Sequence, residues 1–342
     1  MAGYFVRRLL LIVPTFLGIT LVAFLLMHFV PGGPVERQIA RYRMAIAAEG
    51  GAAGGGSVTT EIPAAALEEM RRFYGFDKPV HVRYATWLWN LLRLDLGRSY
   101  VHQEPVWDVI SARFPVSIFL GLTGFGLSYL VCIPLGVFKA IRHGSRFDFI
   151  SSFLVFLGYS VPGWALGMAL LVLFGGGSFW DVFPLGGFRP NNWESLNAAQ
   201  KILAQLHHMA LPVFCYMLGS FATLTILMKN SLMENLGQDY IRTAFAKGLD
   251  ERRVVFVHAL RNSMIPIATG LGHFISLILA GSFLIERVFN IDGMGLLGYT
   301  SILQRDYPVA LGILVISSVL MLIGNILSDM IYVFVDPRIR FK

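Results

Sequence analysis

Six apolar stretches constrain what this chain can fold into more than any other feature. Residues 9–30, 115–138, 149–174, 209–228, 264–285 and 309–335 each reach the roughly 20 residues that a helix needs to cross a bilayer. With 55% hydrophobic and only 14% charged residues, the chain stands outside the ordinary soluble class. The expected fold class is an all-α integral membrane protein with six transmembrane helices.

The first stretch follows Arg7 and Arg8, as a cleavable signal would, but it is too long for one, and Met27-His-Phe-Val-Pro31 offers no small-x-small cleavage site. With the amino terminus inside, the short inside segments carry fourteen basic residues: Arg7 and Arg8, three from Lys139 to Arg146, six from Lys229 to Arg261, and three from Arg338 to Lys342. The two short outside loops carry four, Arg189, Lys201, Arg287 and Arg305. The long segment after the first stretch is left out, because long segments translocate largely regardless of charge. Both termini are therefore expected in the cytoplasm. The same bias, with attraction to anionic lipid, accounts for the net charge of +7 without a nucleic-acid partner. Cys132 and Cys215 both fall within apolar stretches, so they imply no disulfide framework and read as small buried residues.

An outside segment occupies residues 31–114. Pro31-Gly-Gly-Pro-Val35 stops the first helix, and a Gly- and Ala-dominated insert at about 47–60 has too few large apolar residues for a core, so a loop is expected there. A helix is predicted from Pro63, with Leu67, Met70 and Phe73 on one side and Gly75 as its stop. In a second helix Val80, Tyr84, Trp87, Leu88 and Leu91 share one face, and it closes at 94–99. By its residues the segment reads as an amphipathic helix lying in the interface with Trp87 and Trp89 at headgroup depth; its likeness to the outer segment of importer permeases implies a second, compatible reading, a platform for a solute-binding protein.

Between the fourth and fifth stretches lies a basic loop, 238–261. Gly248 is suited to end one short helix at its C′ position, and Asp250 to cap the next, which predicts a helix, turn, helix tip. The Ala-x3-Gly spacing of Ala244 and Gly248, followed by an apolar-rich helix ending at His258-Ala-Leu260, resembles the coupling loop of ABC-importer permeases. Arg242 stands where the general pattern has Glu, His258 where Ile is usual, and Arg261 where Pro is usual. The form Arg-Thr-Ala-x-Ala-Lys-Gly-Leu, with Leu-Arg-Asn at 260–262, is similar to the dipeptide, oligopeptide and nickel permease branch. So are Pro-Gly-x-Pro at 31–34, Asp95-Leu-Gly-x-Ser99, and Asp336-Pro-Arg338 after the last stretch.

This resemblance implies a type I ABC-importer permease fold with an extracytoplasmic helical insertion after the first helix. Its divisions would be a first helix at 1–30, the periplasmic segment 31–114, a five-helix core at 115–335 and a cytoplasmic tail at 336–342. The loop would dock on a separate ATPase subunit through Arg242, Thr243, Ala244, Lys247, Gly248, Arg252, Arg253, His258 and Leu260, with Thr243, Ala244, Gly248 and Leu260 in closest contact. No cofactor is expected in this chain, since ATP and Mg²⁺ would sit on the partner ATPase. The other implied partners are a second homologous permease subunit, a periplasmic peptide-binding protein and membrane lipid, in a bacterial inner membrane.

The loop after the fifth stretch carries Glu286-Arg-Val-Phe, Asp292-Gly-Met-Gly295 and Arg305-Asp-Tyr-Pro308. Permeases of this branch have Glu-x-Val-Phe, Pro-Gly-x-Gly and Arg-Asp-Tyr-Pro in that register, and Asp292 takes the usual proline position. The resemblance implies an outer gate involving Glu286, Asp292, Gly293, Gly295, Arg305 and Asp306; the residues alone equally describe a polar loop between helices. His28 and His273 lie within apolar stretches as pore lining or as helix-to-helix hydrogen bonds. Asp329, with Asn325 nearby, reads as bonded to another helix in preference to a proton relay. His207 and His208 invite a metal, but adjacent helical residues project about 100° apart and chelate poorly.

No Lys precedes Ser or Thr anywhere, so the Gly-x4-Gly-Lys-Ser/Thr phosphate loop is absent. Gly-x-Ser-x-Gly and His-Glu-x-x-His are absent too, which removes the common hydrolase signatures. The functional expectation is a permease subunit importing oligopeptides or peptide-like compounds by alternating access. The alternatives are an importer of nickel chelates and an ATP-independent transporter or channel, which would be expected to show paired intramembrane charges or inverted repeats.

Overall fold

The computed structural model describes residues 2–29, 77–176, 179–272 and 281–335, with positions 39, 44 and 68 between the first two ranges. The Pro-Gly-Gly-Pro stop, the Gly-rich insert, the helix predicted from Pro63, His273 and the tail 336–342 lie outside the described residues, as does the side chain of His28. All regular elements that are described are helical: α1 (Ala2–Phe29), α2 (Val80–Leu92), α3 (Val106–Ser111), α4 (Phe114–Ile141), α5 (Arg146–Ser160), α6 (Gly163–Phe174), α7 (Ala198–Leu236), α8 (Asp239–Ala246), α9 (Ile265–Gly272), α10 (Phe283–Val288), α11 (Met294–Leu303) and α12 (Tyr307–Val335). A short helical run of Glu251–Arg253, a π-helical Val254–Ala259 and Leu260–Ser263 lies between α8 and α9.

Four helical segments among the described residues are long and apolar enough to cross a membrane: Val6–Met27, Val106–Ile141, Ala198–Leu236 and Tyr307–Met330. Helices suit this setting because they close their backbone hydrogen bonds internally where no water can. The third predicted stretch is not one straight helix. It breaks into α5 and α6, bent by 95°, and counting that pair as one span gives five. Pro162 is the physical cause: it has no N–H to donate and forces Val161 into an extended conformation (φ −99°, ψ 121°). The fourth stretch extends well beyond 209–228 into a 39-residue helix, started by a reciprocal capping box between Asn197 and Gln200. His207 and His208 therefore lie inside this helix. Of the fifth stretch, α9 and the start of α10 are described and the middle is not.

Two compact units divide the chain. The first comprises Met1–Ile12, Arg113–Leu297 and Ser317–Lys342, and the second Val13–Ala112 and Gly298–Ile316. In the first, α4 packs along α7 at close range. A Cβ on Gly136 would sit 2.8 Å from the Thr225 carbonyl oxygen, so the two backbones meet where only glycine fits. In the second, Phe24 and Leu311 form a small core, with Tyr84 and Trp87 of α2 against it. The face predicted for α2 is thus the one that packs.

Candidate functional site

The 239–263 tip is built by local signals. In α8 the residues Ile241 and Ala244, three apart, turn inward, while Arg242, Thr243, Phe245 and Lys247 are exposed. Gly248 ends the helix at φ +78°, where a residue with a Cβ is strained. Its N–H donates to the Phe245 carbonyl at 2.9 Å, and the Leu249 N–H reaches back to the Ala244 carbonyl at 3.3 Å, which together make a Schellman closure. The Asp250 side chain then accepts from the Arg253 N–H at 3.3 Å and caps the next run.

Beneath the tip, Ile241, Val254, Val255 and Ala259 are buried with Val137, Ala140, Met228, Leu232 and Ile267 of the surrounding helices. Full burial of one such branched side chain contributes about 1.5–3 kcal/mol. Ser231 on α7 donates to the Ser263 carbonyl at 3.0 Å, and Ser263 donates to that of Ala259 at 2.8 Å, which ties the end of the run to α7.

Ala244 is only 8% exposed and belongs to the internal core. His258 and Leu260 are half-buried, and Leu260 packs on that core. The outward face consists of Arg242, Thr243, Lys247, Gly248, Arg252 and Arg253. It also holds residues that the sequence reading passed over, Phe245, Phe256 and Val257, at 47, 49 and 54% exposed. Their position one or two residues from buried partners in a helical register was the available signal.

The helices supporting the tip are joined by buried charge that sequence reasoning also missed. Asp148 of α5 accepts two 2.8 Å hydrogen bonds from Lys229 of α7. Lys139 of α4, 1% exposed, lies 3.3 Å from the same carboxylate. It also donates to Ser151 and Ser152 at 2.9 and 2.7 Å. Three helices thereby share one ion-pair cluster, and removing a member would strand a buried charge. In sequence these lysines read only as positive-inside bias.

Glu286, fully buried, organises the turn between α10 and α11. Its carboxylate accepts from the N–H groups of Leu296 (2.6 Å), Ser282 (3.1 Å) and Gly295 (3.4 Å), and from the Tyr216 hydroxyl (3.3 Å). Gly293 leaves the space that the carboxylate fills, since a Cβ there would lie 2.6 Å from its Cδ. Asp292 is mostly exposed and pairs with Arg113 at 3.0 Å. Of the six residues expected at a gate, Glu286, Gly293 and Gly295 thus form one turn with Asp292 beside it. In the second unit Arg305 takes a left-handed conformation (φ +54°) and Asp306 is buried. Asp306 accepts from Ser99 Oγ at 2.5 Å and from the Tyr100 N–H at 2.9 Å, joining two motifs that the sequence separates widely.

Asp329 forms an ion pair with Arg8 of α1. Asn325, one turn away, is half-buried. His207 Nε2 donates to the Val182 carbonyl at 2.6 Å, and His208 Nδ1 to that of Ala204 at 3.1 Å. Both rings are thus engaged by backbone, and the described residues contain no group of three or more His, Cys, Asp or Glu fit to hold a metal.

Residues 132–341 match a protein family described as the binding-protein-dependent transport system inner membrane component. Over 360 residues the chain is 40% identical to the peptidoglycan transport system permease protein YejB of Agrobacterium fabrum, covering 100% of this chain and 99% of that protein. It is 40% identical over 362 residues to the inner membrane ABC transporter permease protein YejB of Escherichia coli O157:H7, and 34% identical over 359 residues to the dipeptide transport system permease protein DppB of Escherichia coli strain K12. Both chains are covered fully in each case.

Proposed function

The chain belongs to the family of binding-protein-dependent transport system inner membrane components, and on that premise we propose that it carries oligopeptides or peptide-like compounds inward by alternating access. As an ABC transporter permease of the inner membrane it is not itself the catalyst; ATP is hydrolysed on a partner ATPase. The finer architecture in this reading is a type I importer half with six membrane helices and both termini in the cytoplasm, paired with a second, homologous permease. The peptide class follows from relatives whose names specify peptidoglycan, oligopeptide and dipeptide transport.

The observation that carries the coupling role is the two-faced tip. An apolar underside fixes it to α4 and α7, while Phe245, Phe256, Arg252 and Arg253 face outward. Exposed aromatic and arginine side chains on a rigid element are what a partner's cleft can grip. When the ATPase subunits close, the tip moves as a unit with its supporting helices, and the spans pass from inward-facing to outward-facing, so that a binding protein can release its load.

The test is purification of the tagged chain from native membranes in mild detergent, with mass spectrometry of the copurifying proteins. Recovery of a second permease and Walker-motif ATPases is expected, followed by binding-protein-dependent uptake of labelled peptides into vesicles. Uptake of peptides that persists after ATP depletion, by the chain alone, would overturn the proposal.

A further inference from the structure

Within the second unit, the outer part of α1, helix α2, the turn after it and the start of α12 line a half-open cavity of about 320 Å³. One wall is apolar, made by Phe24 and Met27 of α1, Trp87 of α2 and Leu311 of α12. Phe24 is fixed there by Tyr84 and Trp87, with ring centroids 5.4 and 5.7 Å away. Lys78, Arg83 and Arg98 also line the cavity, against a single lining carboxylate, Asp95, which already accepts from the Gly97 N–H at 2.8 Å. Cations therefore exceed anions around a space that apolar side chains also line.

Two further observations point to an anionic ligand. Burial pushes the Arg83 guanidinium below its ordinary range, while Tyr100, Asp77 and Tyr307, within electrostatic reach, act in the other direction. Tyr307 lines the same cavity, and its hydroxyl is buried with no hydrogen-bond partner among the described residues. A buried hydroxyl without a partner is unfavourable, so a native structure usually supplies one.

We propose that this cavity holds the phosphate of a phospholipid, with Arg83 and the Tyr307 hydroxyl donating to its oxygens and the acyl region lying along Phe24, Met27 and Leu311. The apolar wall comes from the end of one membrane span and the start of another, which sets the cavity at the depth where headgroups meet hydrocarbon. Tyr84, Trp87, Tyr100 and Tyr307 gather there as aromatic residues do at a membrane interface. This placement rests on the inner-membrane assignment alone and not on the coupling role or the peptide substrate.

The full chain, purified in mild detergent with whatever subunits accompany it, is examined by native mass spectrometry and then by thermal unfolding after delipidation. The probes are dioctanoyl phosphatidylglycerol, inorganic phosphate and a tripeptide. The expected results are a retained phospholipid mass and a rise of about 5 °C at saturating phosphatidylglycerol, with no rise from phosphate or the tripeptide. Tyr307→Phe removes only the unpartnered hydroxyl and should need about tenfold more lipid for the same rise; Arg83→Met should abolish it. An equal response to lipid in wild type and Tyr307→Phe overturns the site even where Arg83→Met fails to fold. A rise with inorganic phosphate alone overturns the role of the apolar wall. A rise with the tripeptide alone makes the cavity a substrate subsite and overturns the lipid.

Discussion

The tip at 239–263 and the turn at 281–296 both depend on glycines and on one acidic residue, yet they use them in opposite directions. In the tip, Asp250 is exposed and does no more than cap a helix, and most polar side chains face away from the protein. In the turn, Glu286 is fully buried and four donors converge on it. A segment that must meet another chain keeps its polar groups outward over an apolar base. A segment that must hold its own shape directs them inward, where an unmet donor is costly. The tip presents its polar groups to its surroundings, whereas the turn uses its own to hold its shape.

Glu286→Ala is the strongest way to break that contrast. It leaves three backbone N–H groups and the Tyr216 hydroxyl without their acceptor, at about 3 kcal/mol or more. The expected result is a thermal midpoint lowered by roughly 10 °C and a reduced folded fraction on size exclusion. Glu286→Gln keeps one oxygen but turns an NH₂ toward donors, so its midpoint should fall between those of wild type and Glu286→Ala; a midpoint equal to wild type would show that the charge is irrelevant.

Gly248→Leu should have a smaller effect on stability and a larger one on coupling. Nothing lies within 4 Å of a Cβ there, so the cost is the left-handed backbone alone, about 1–2 kcal/mol. Membrane insertion should survive and transport-coupled ATPase activity be abolished in reconstituted complex; normally coupled turnover would remove the docking assignment. Asp250→Ala takes away a cap worth about 1 kcal/mol, and amide exchange at Arg253 and Val254 should accelerate while Glu286 and its donors stay protected. The double change Arg252→Ala with Arg253→Ala should leave the melting curve unmoved but weaken capture of the ATPase several-fold, increasingly so at low salt. Capture that is unchanged would confine recognition to the apolar residues Phe245, Phe256 and Val257.

Local chemistry made much of this molecule legible. The stop at Gly248, the cap at Asp250 and the packing face of α2 all follow from residues within a few positions of one another. Ala244 shows where such reading ends. Its spacing from Gly248 identifies the motif, but whether it faces a partner or the core depends on Val137, Met228 and Ile267, which come from other helices. The pairing of Lys229 with Asp148 spans 81 residues, and that of Ser99 with Asp306 spans 207.

Sequence alone was enough to show that this chain is helical and membrane-embedded and that one basic loop is shaped by a glycine turn. Those properties arise from hydrophobic length, backbone conformation and neighbouring side chains, all of them local. Which polar residues are structural and which are presented depends instead on the folded packing. Buried Asp148, Glu286 and Asp306 and exposed Arg252 and Phe256 differ in surroundings that distant segments supply, and burial decides what a charge or a ring does.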